Sequence, residues 1–222
     1  MEELNIKKKN IDSFLLVAVG IALVLVAFNS YTLYGLSGSP GGGSGLVTGG
    51  STDSIIPTGS PKLYGSELDV SFDGVSAADP YTADLTIGKL ADLDKTITLT
   101  ETQKERYINV LFTKEGGTSC EYCCGAKSVI FETGESACGC AHSYAMRGLA
   151  KYLITEHGDE YTDDEILEEV AKWKVLFFPT QMAQKAQILE DQGIDTSYIN
   201  VASNKYRGIE KGVTGGGMVG GC

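Results

Sequence analysis

The chain predicts an α+β domain held outside the cytoplasm by one membrane anchor. Three features carry that expectation. A short alternating stretch, Leu68 to Asp73, has the period of a half-buried strand. Beyond residue 100, apolar residues recur at helical spacing. Between them, residues 120–142 hold five of the six cysteines and one of the two histidines. The expected architecture is a small β portion and a cysteine-bearing hairpin, packed with a C-terminal bundle of about three helices.

The N-terminus gives the address. Lys7, Lys8 and Lys9 precede an uncharged run from Ser13 to Ser39, longer than the roughly 20 residues a bilayer requires. No lysine follows until Lys62, so the positive-inside rule places residues 1–12 in the cytoplasm and residues 13–36 across the plasma membrane. Cleavage of this segment as a signal peptide near Ser37 is the alternative, and it gives a secreted form. Residues 37–62, rich in Gly, Ser and Pro, form a flexible linker. The folded domain is assigned to 63–210 and a Gly-rich tail to 211–222. Up to Leu36 the charges cancel, so the remainder carries the whole net charge of −11. An acidic surface argues against nucleic acid as a partner. The membrane is the expected partner, through the N-terminal helix, and a protein partner stays unidentified.

Within the domain, Leu68, Val70 and Phe72 predict the first strand, with Gly74 as its turn. Leu85, Ile87, Ile97 and Leu99 suggest further short strands. Thr100 and Gln103 make a capping box for a helix over about 101–113, which Gly116 and Gly117 stop. Residues 127–133 predict a strand and Gly134 its turn, so the two cysteine groups fall at the ends of a hairpin. A helix follows over about 142–157, with Gly158 as its stop. Thr162 and Glu165 cap the next, whose stripe is Ile166, Val170, Trp173 and Phe177. After Pro179 a last helix covers about 180–192 and ends at Gly193.

The cysteines point to a metal. Cys120 and Cys123 are spaced to chelate one ion, and Cys138, Cys140 and His142 alternate so that an extended backbone aims all three one way. With Cys124 the candidate ligands number six, more than one tetrahedral site uses. Thiolates and imidazole suit zinc or copper(I), and an iron–sulfur cluster fits less well. Met146, one turn beyond His142, would add a copper-like thioether, or simply join the core beside Leu149. Two alternatives remain. An even cysteine count outside the cytoplasm is the usual setting for disulfides, which would make the domain a stapled binding module. The Cys-x-x-Cys and Cys-x-Cys pairs also suit thiol–disulfide redox chemistry, with Cys140 lying just before a helix. His157, at a helix C-terminus, reads as structural. No pattern of catalytic residues stands out, and an enzyme is the less favoured reading.

The order of Cys120-Glu-Tyr-Cys-Cys-Gly125, Cys138-Gly-Cys140, a helix and Asp-Asp-Glu-Ile-Leu resembles the membrane-attached proteins with a PCYCGC motif, over about residues 100–178. It departs from them in lacking a proline before Cys120 and in the C-x-x-C-C form of the first group. That resemblance implies an extracytoplasmic cysteine site, with metal binding as its natural use. A second likeness, through Cys120-x-x-Cys123 alone, is to the thiol proteins of cytochrome c maturation, and it implies redox chemistry.

Overall fold

The computed structural model describes residues 55–211 and 218–220, all within a compact unit spanning 50–222. The predicted anchor and most of the linker lie outside the described residues. Among the described residues no helix is long and apolar enough to cross a membrane.

The domain is helical, which corrects the α+β expectation. Among the described residues there is no strand or sheet, only the isolated bridges Ser76↔Asp79 and Ile130↔Ser136. Six α-helices follow in order: α1 (Pro80–Thr96), α2 (Glu101–Ile108), α3 (Ala141–Glu156), α4 (Asp163–Phe177), α5 (Pro179–Asp191) and α6 (Tyr198–Ala202).

Helix α1 replaces the strands expected around Leu85 and Ile87. Asp79 caps it by accepting from the Thr82 amide at 3.1 Å, and Pro80 occupies the first turn, where its missing N–H costs nothing. Ala83, Ile87, Leu90 and Ala91 are its buried face. These positions have helical spacing, and Leu85, on which the strand reading relied, is exposed. Ile97 is the extended C-cap of α1, and Leu99 lies in the link to α2 rather than in a strand.

The alternation at 68–73 has another origin. Val70 and Phe72 are buried, and the Phe72 ring sits 5.0 Å from that of Trp173 on α4. No second strand pairs with this segment. Asp69 takes a positive φ of 49°, and Phe72–Gly74 closes a 3-10 turn. The segment is an irregular strap whose alternate side chains plug the core. Tyr64 anchors it too, accepting from Trp173 Nε1 and donating to Glu169, both at 2.8 Å. Full burial of side chains this large contributes roughly 2–3 kcal/mol each.

Both predicted capping boxes form, Thr100 with Gln103 and Thr162 with Glu165. Helix α2 ends in a π turn over Asn109–Thr113 and a 3-10 turn over Lys114–Gly116. Gly117, at φ 71°, then passes so close to Leu111 that a Cβ would lie 2.0 Å from its carbonyl oxygen. Only glycine fits there, and the chain emerges aimed at Cys120.

Helix α3 is the axis of the domain. Ten of its sixteen residues are buried. It packs most extensively on α1, across Gly148, where a Cβ would meet Leu90 O at 2.0 Å and Asp94 N at 2.8 Å. The bare glycine lets the two backbones touch. Beside that crossing Asp94 receives Arg147 at 2.8 Å and Lys151 at 2.7 Å.

Candidate metal centre

The site forms where an irregular loop, residues 117–140, meets the N-terminus of α3. Cys120–Cys124 makes a single turn, with the amides of Cys123 and Cys124 turned toward Cys120 O at 3.3 and 3.5 Å. The expected hairpin survives only as a chain reversal. Val129 N donates to Thr118 O at 3.0 Å, Ala137 N donates to Val129 O at 3.1 Å, and one bridge closes the loop. That is enough to bring the second cysteine group back beside the first. Ser128 and Arg147 side chains fill the second acceptor positions of the same Thr118 and Val129 carbonyls and tie the loop to its surroundings. Ser128 Oγ donates to Thr118 O and Leu111 O, and Arg147 Nη1 donates to Val129 O at 3.2 Å and Cys138 O at 2.7 Å.

Four of the six predicted ligands converge. One ligand atom from each of Cys120, Cys123, Cys140 and His142 lies within 4.8 Å of the others. This group can hold a metal ion. Cys120 and His142 are buried and the other two half-buried. Cys138 and Cys124 fall outside the four. Cys138 is buried with its Sγ 3.6 Å from that of Cys140, and Cys124 is exposed. Met146 is fully buried in the hydrophobic core.

Cys140 is the hub. It caps α3, its Sγ accepting from the Ser143 amide at 3.4 Å, so it faces the positive end of the helix. Its sulfur lies 3.2 Å from that of Cys120, within hydrogen-bond distance. The helix terminus favours negative charge on Cys140 over Cys120. The contact with Cys120 holds Cys140 well below the usual thiol range, with help from neighbouring His142 and then Ser143 against the opposing effect of burial. The same contact, with burial, pushes Cys120 far up. Cys138 is raised by burial and then by its hydrogen bond with Cys124.

His142 is prepared as a ligand. Its Nε2 lies 2.7 Å from the carbonyl oxygen of Val219 in the C-terminal tail. A carbonyl only accepts, so Nε2 carries a proton, and in the neutral ring Nδ1 keeps the lone pair. Nδ1 is buried and has no hydrogen-bond partner. Buried polar atoms are nearly always paired. A histidine whose far nitrogen donates to a carbonyl while the near one is left unpaired is the usual arrangement of a metal ligand. Phe177 and Phe178 wall the ring at 4.8 and 5.1 Å.

The cysteines differ in oxidation state. Cys120, Cys124, Cys138 and Cys140 are free thiols, whereas Cys123 carries a disulfide. A disulfide sulfur is a poor ligand, so Cys123 joins the other three only when reduced.

Several residues that shape the site gave little sign of it in the sequence. Glu121, between Cys120 and Tyr122, is buried among three cations. Lys174 Nζ lies 3.1 Å away, Lys185 Nζ 3.7 Å and Arg207 Nε 3.5 Å. Burial alone would raise the Glu121 carboxyl, but these cations outweigh it and hold it below its ordinary value. Lys174 is lowered by burial, and Lys185 is pushed down to about 8 by burial and then by its neighbour Lys174. The one available hint was Lys174 itself, four residues after Val170 on the apolar face of α4. Val219 had no hint at all. His157, read as structural, bridges Glu67 at 2.8 Å and Glu160 at 2.5 Å, away from the cysteines.

No family model, no curated protein and no solved structure matches this chain.

Proposed function

We propose that this protein binds a soft metal ion, zinc or copper(I), through Cys120, Cys123, Cys140 and His142. The observation that carries the reading is the unpaired, buried Nδ1 of His142 beside three convergent sulfurs. Thiolate and imidazole donors select such ions over harder ones. The chain's own contribution is preparation. Val219 orients the histidine ring, the α3 terminus favours the thiolate form of Cys140, and the loop holds Cys120 buried against it. The lysine run before the long uncharged segment supports a membrane-anchored protein that presents this site outside the cytoplasm. There it serves as a metal carrier or as a structural site in an assembly. Because Cys123 is a ligand only as a thiol, oxidation and ion binding compete.

A second reading, thiol–disulfide exchange, rests on the Cys123 disulfide close to Cys140 at the N-terminus of α3. One experiment separates the two. The protein is purified anaerobically with reductant, its bound metal is measured by elemental analysis, and its thiols are titrated before and after chelation. Stoichiometric metal, with thiols that become reactive only after chelation, is the expected result. Absence of metal together with reversible two-electron titration of Cys123 would favour the redox reading instead.

A further inference from the structure

Cys124 and Cys138 are left over by the four-ligand site, yet they are not scattered. The sulfurs form a chain of contacts. Cys124 is within hydrogen-bond reach of Cys138, Cys138 Sγ is 3.6 Å from Cys140 Sγ, and Cys140 Sγ is 3.2 Å from Cys120 Sγ. Two thiolates on one ion, with metal–sulfur bonds of about 2.3 Å at tetrahedral angles, sit about 3.8 Å apart. The Cys138–Cys140 separation of 3.6 Å nearly equals that edge, and the Cys120–Cys140 separation of 3.2 Å is shorter, so a small opening of that pair admits an ion. Cys140 therefore stands between two thiol groups, near enough to share an ion with each.

We infer that the site is dinuclear, with Cys140 as a bridging thiolate. The second position, held by Cys124, Cys138 and Cys140, takes copper(I). This rests on the metal-binding reading above. Three arguments favour the assignment. First, the second position has three sulfurs and no imidazole, a donor set suited to three-coordinate copper(I), whereas zinc would need a fourth ligand. Second, all three sulfurs are free thiols in the structure, so this position does not depend on reducing Cys123. Third, the ligands grade outward, from buried Cys138 through half-buried Cys140 to exposed Cys124, so an ion can reach the second position from solvent. Binding involves no electron transfer. Each remaining thiol proton passes to solvent as a sulfur–copper bond forms.

Arg147 is the positioning residue for this second position. It holds the Cys138 carbonyl at 2.7 Å while its Nε pairs with Asp94, so Cys138 is fixed to the α1–α3 crossing rather than to its own loop.

The test is an anaerobic titration of the full reduced chain with copper(I), supplied as a chromophoric chelate. Wild type should take two equivalents and show a copper–copper vector by X-ray absorption, shorter than about 4.6 Å, twice a metal–thiolate bond. Cys124→Ser, an exposed and conservative change, should take one equivalent and lose the vector. Cys138→Ser should do the same, and its far-ultraviolet circular dichroism verifies the fold. A wild type that takes one equivalent, matched by Cys124→Ser, overturns the bridge and leaves the single-ion reading intact. A wild type that takes none overturns both.

Discussion

At the scale of single residues, the site depends on groups far from it in sequence. Gly220 shows how. It follows Val219, has φ 82°, and a Cβ there would lie 2.3 Å from Ile87 Cδ1 and 3.6 Å from His142 Nε2. The Ile87 methyl can move aside, but an alanine at this φ is strained by about 1 kcal/mol. Gly220→Ala should therefore loosen the tail, free the His142 ring and weaken ion binding about tenfold, the lower end for losing such a supporting contact. The core should melt almost unchanged. Competition with a metallochromic chelator reads the first effect, and a thermal scan reads the second. His157 makes a separate prediction. Burial alone would lower its pKa, yet hydrogen bonds with Glu67 and Glu160 raise it. The folded state then binds a proton that the unfolded state releases near its ordinary value of about 6.5. The stabilisation is complete below that value and disappears as pH rises through the raised one. His157→Gln should cost more stability near pH 6 than near pH 8.5 in urea unfolding, and an equal cost at both would refute the linkage. Of these features the sequence displayed the ligands, because cysteine and histidine spacing is local. It concealed their support, since Val219 meets His142 across a sequence separation of 77.

At the scale of elements, helix ends were legible and strands were misleading. Thr100, Gln103, Thr162 and Glu165 declare their helices through bonds within four residues, which the sequence carries whole. The alternation at Leu68 to Asp73 also reported burial correctly, but burial against Trp173 rather than pairing with a second strand. Period-two patterning shows which side chains are wet. It does not show that a neighbouring backbone exists to complete a ladder. Helix α1 carries a stripe of helical spacing at Ala83, Ile87, Leu90 and Ala91, and its interface with α3 depends also on the bareness of Gly148. On an exposed helix, glycine to alanine stabilises by about 1 kcal/mol. Here the added Cβ would press on Leu90 O and Asp94 N, backbone atoms that cannot rotate away. Gly148→Ala should reverse the sign and destabilise by about 1–3 kcal/mol, the usual cost of overpacking. Chemical denaturation of the two proteins decides between the signs.

The same reasoning extends to the ion cluster beneath the first cysteines. Lys174 and Lys185 are wholly buried, and Glu121 is the carboxylate they share. Glu121→Gln keeps the shape but leaves two buried cations without that charge. Breaking a buried pair from one side typically costs about 3–5 kcal/mol. The loss should appear as a lower urea midpoint with an unchanged slope. A variant that also replaces Lys185 by Met should recover part of it, because the second change removes one uncompensated charge.

At the scale of the whole molecule, two kinds of stability coexist. Helices α3 and α4 hold a continuous core from Ala145 through Phe177, with Trp173, Leu149 and Leu153 fully buried. The loop 117–140 has no such resource. It contains no regular helix between Gly116 and Ala141, and its order depends on scattered backbone bonds, the grip of Arg147 and the meeting of the sulfurs. A ligand that binds only the assembled site stabilises it by about 2.7 kcal/mol at a hundred times its dissociation constant. That energy falls on the loop first, because local opening there is far less costly than opening of the core. Removing metal with a chelator under reducing conditions should thus accelerate amide exchange across residues 118–140 by up to about a hundredfold, the factor corresponding to 2.7 kcal/mol, and leave the central amides of α3 and α4 unchanged. Hydrogen-exchange mass spectrometry on the loaded and stripped protein resolves the two regions. Equal acceleration in both would mean that the metal supports the whole fold, as in small domains that collapse without their ion. The size of the core built around Trp173 argues for the separated outcome, in which the helices form a rigid frame and the cysteine loop orders around its ion.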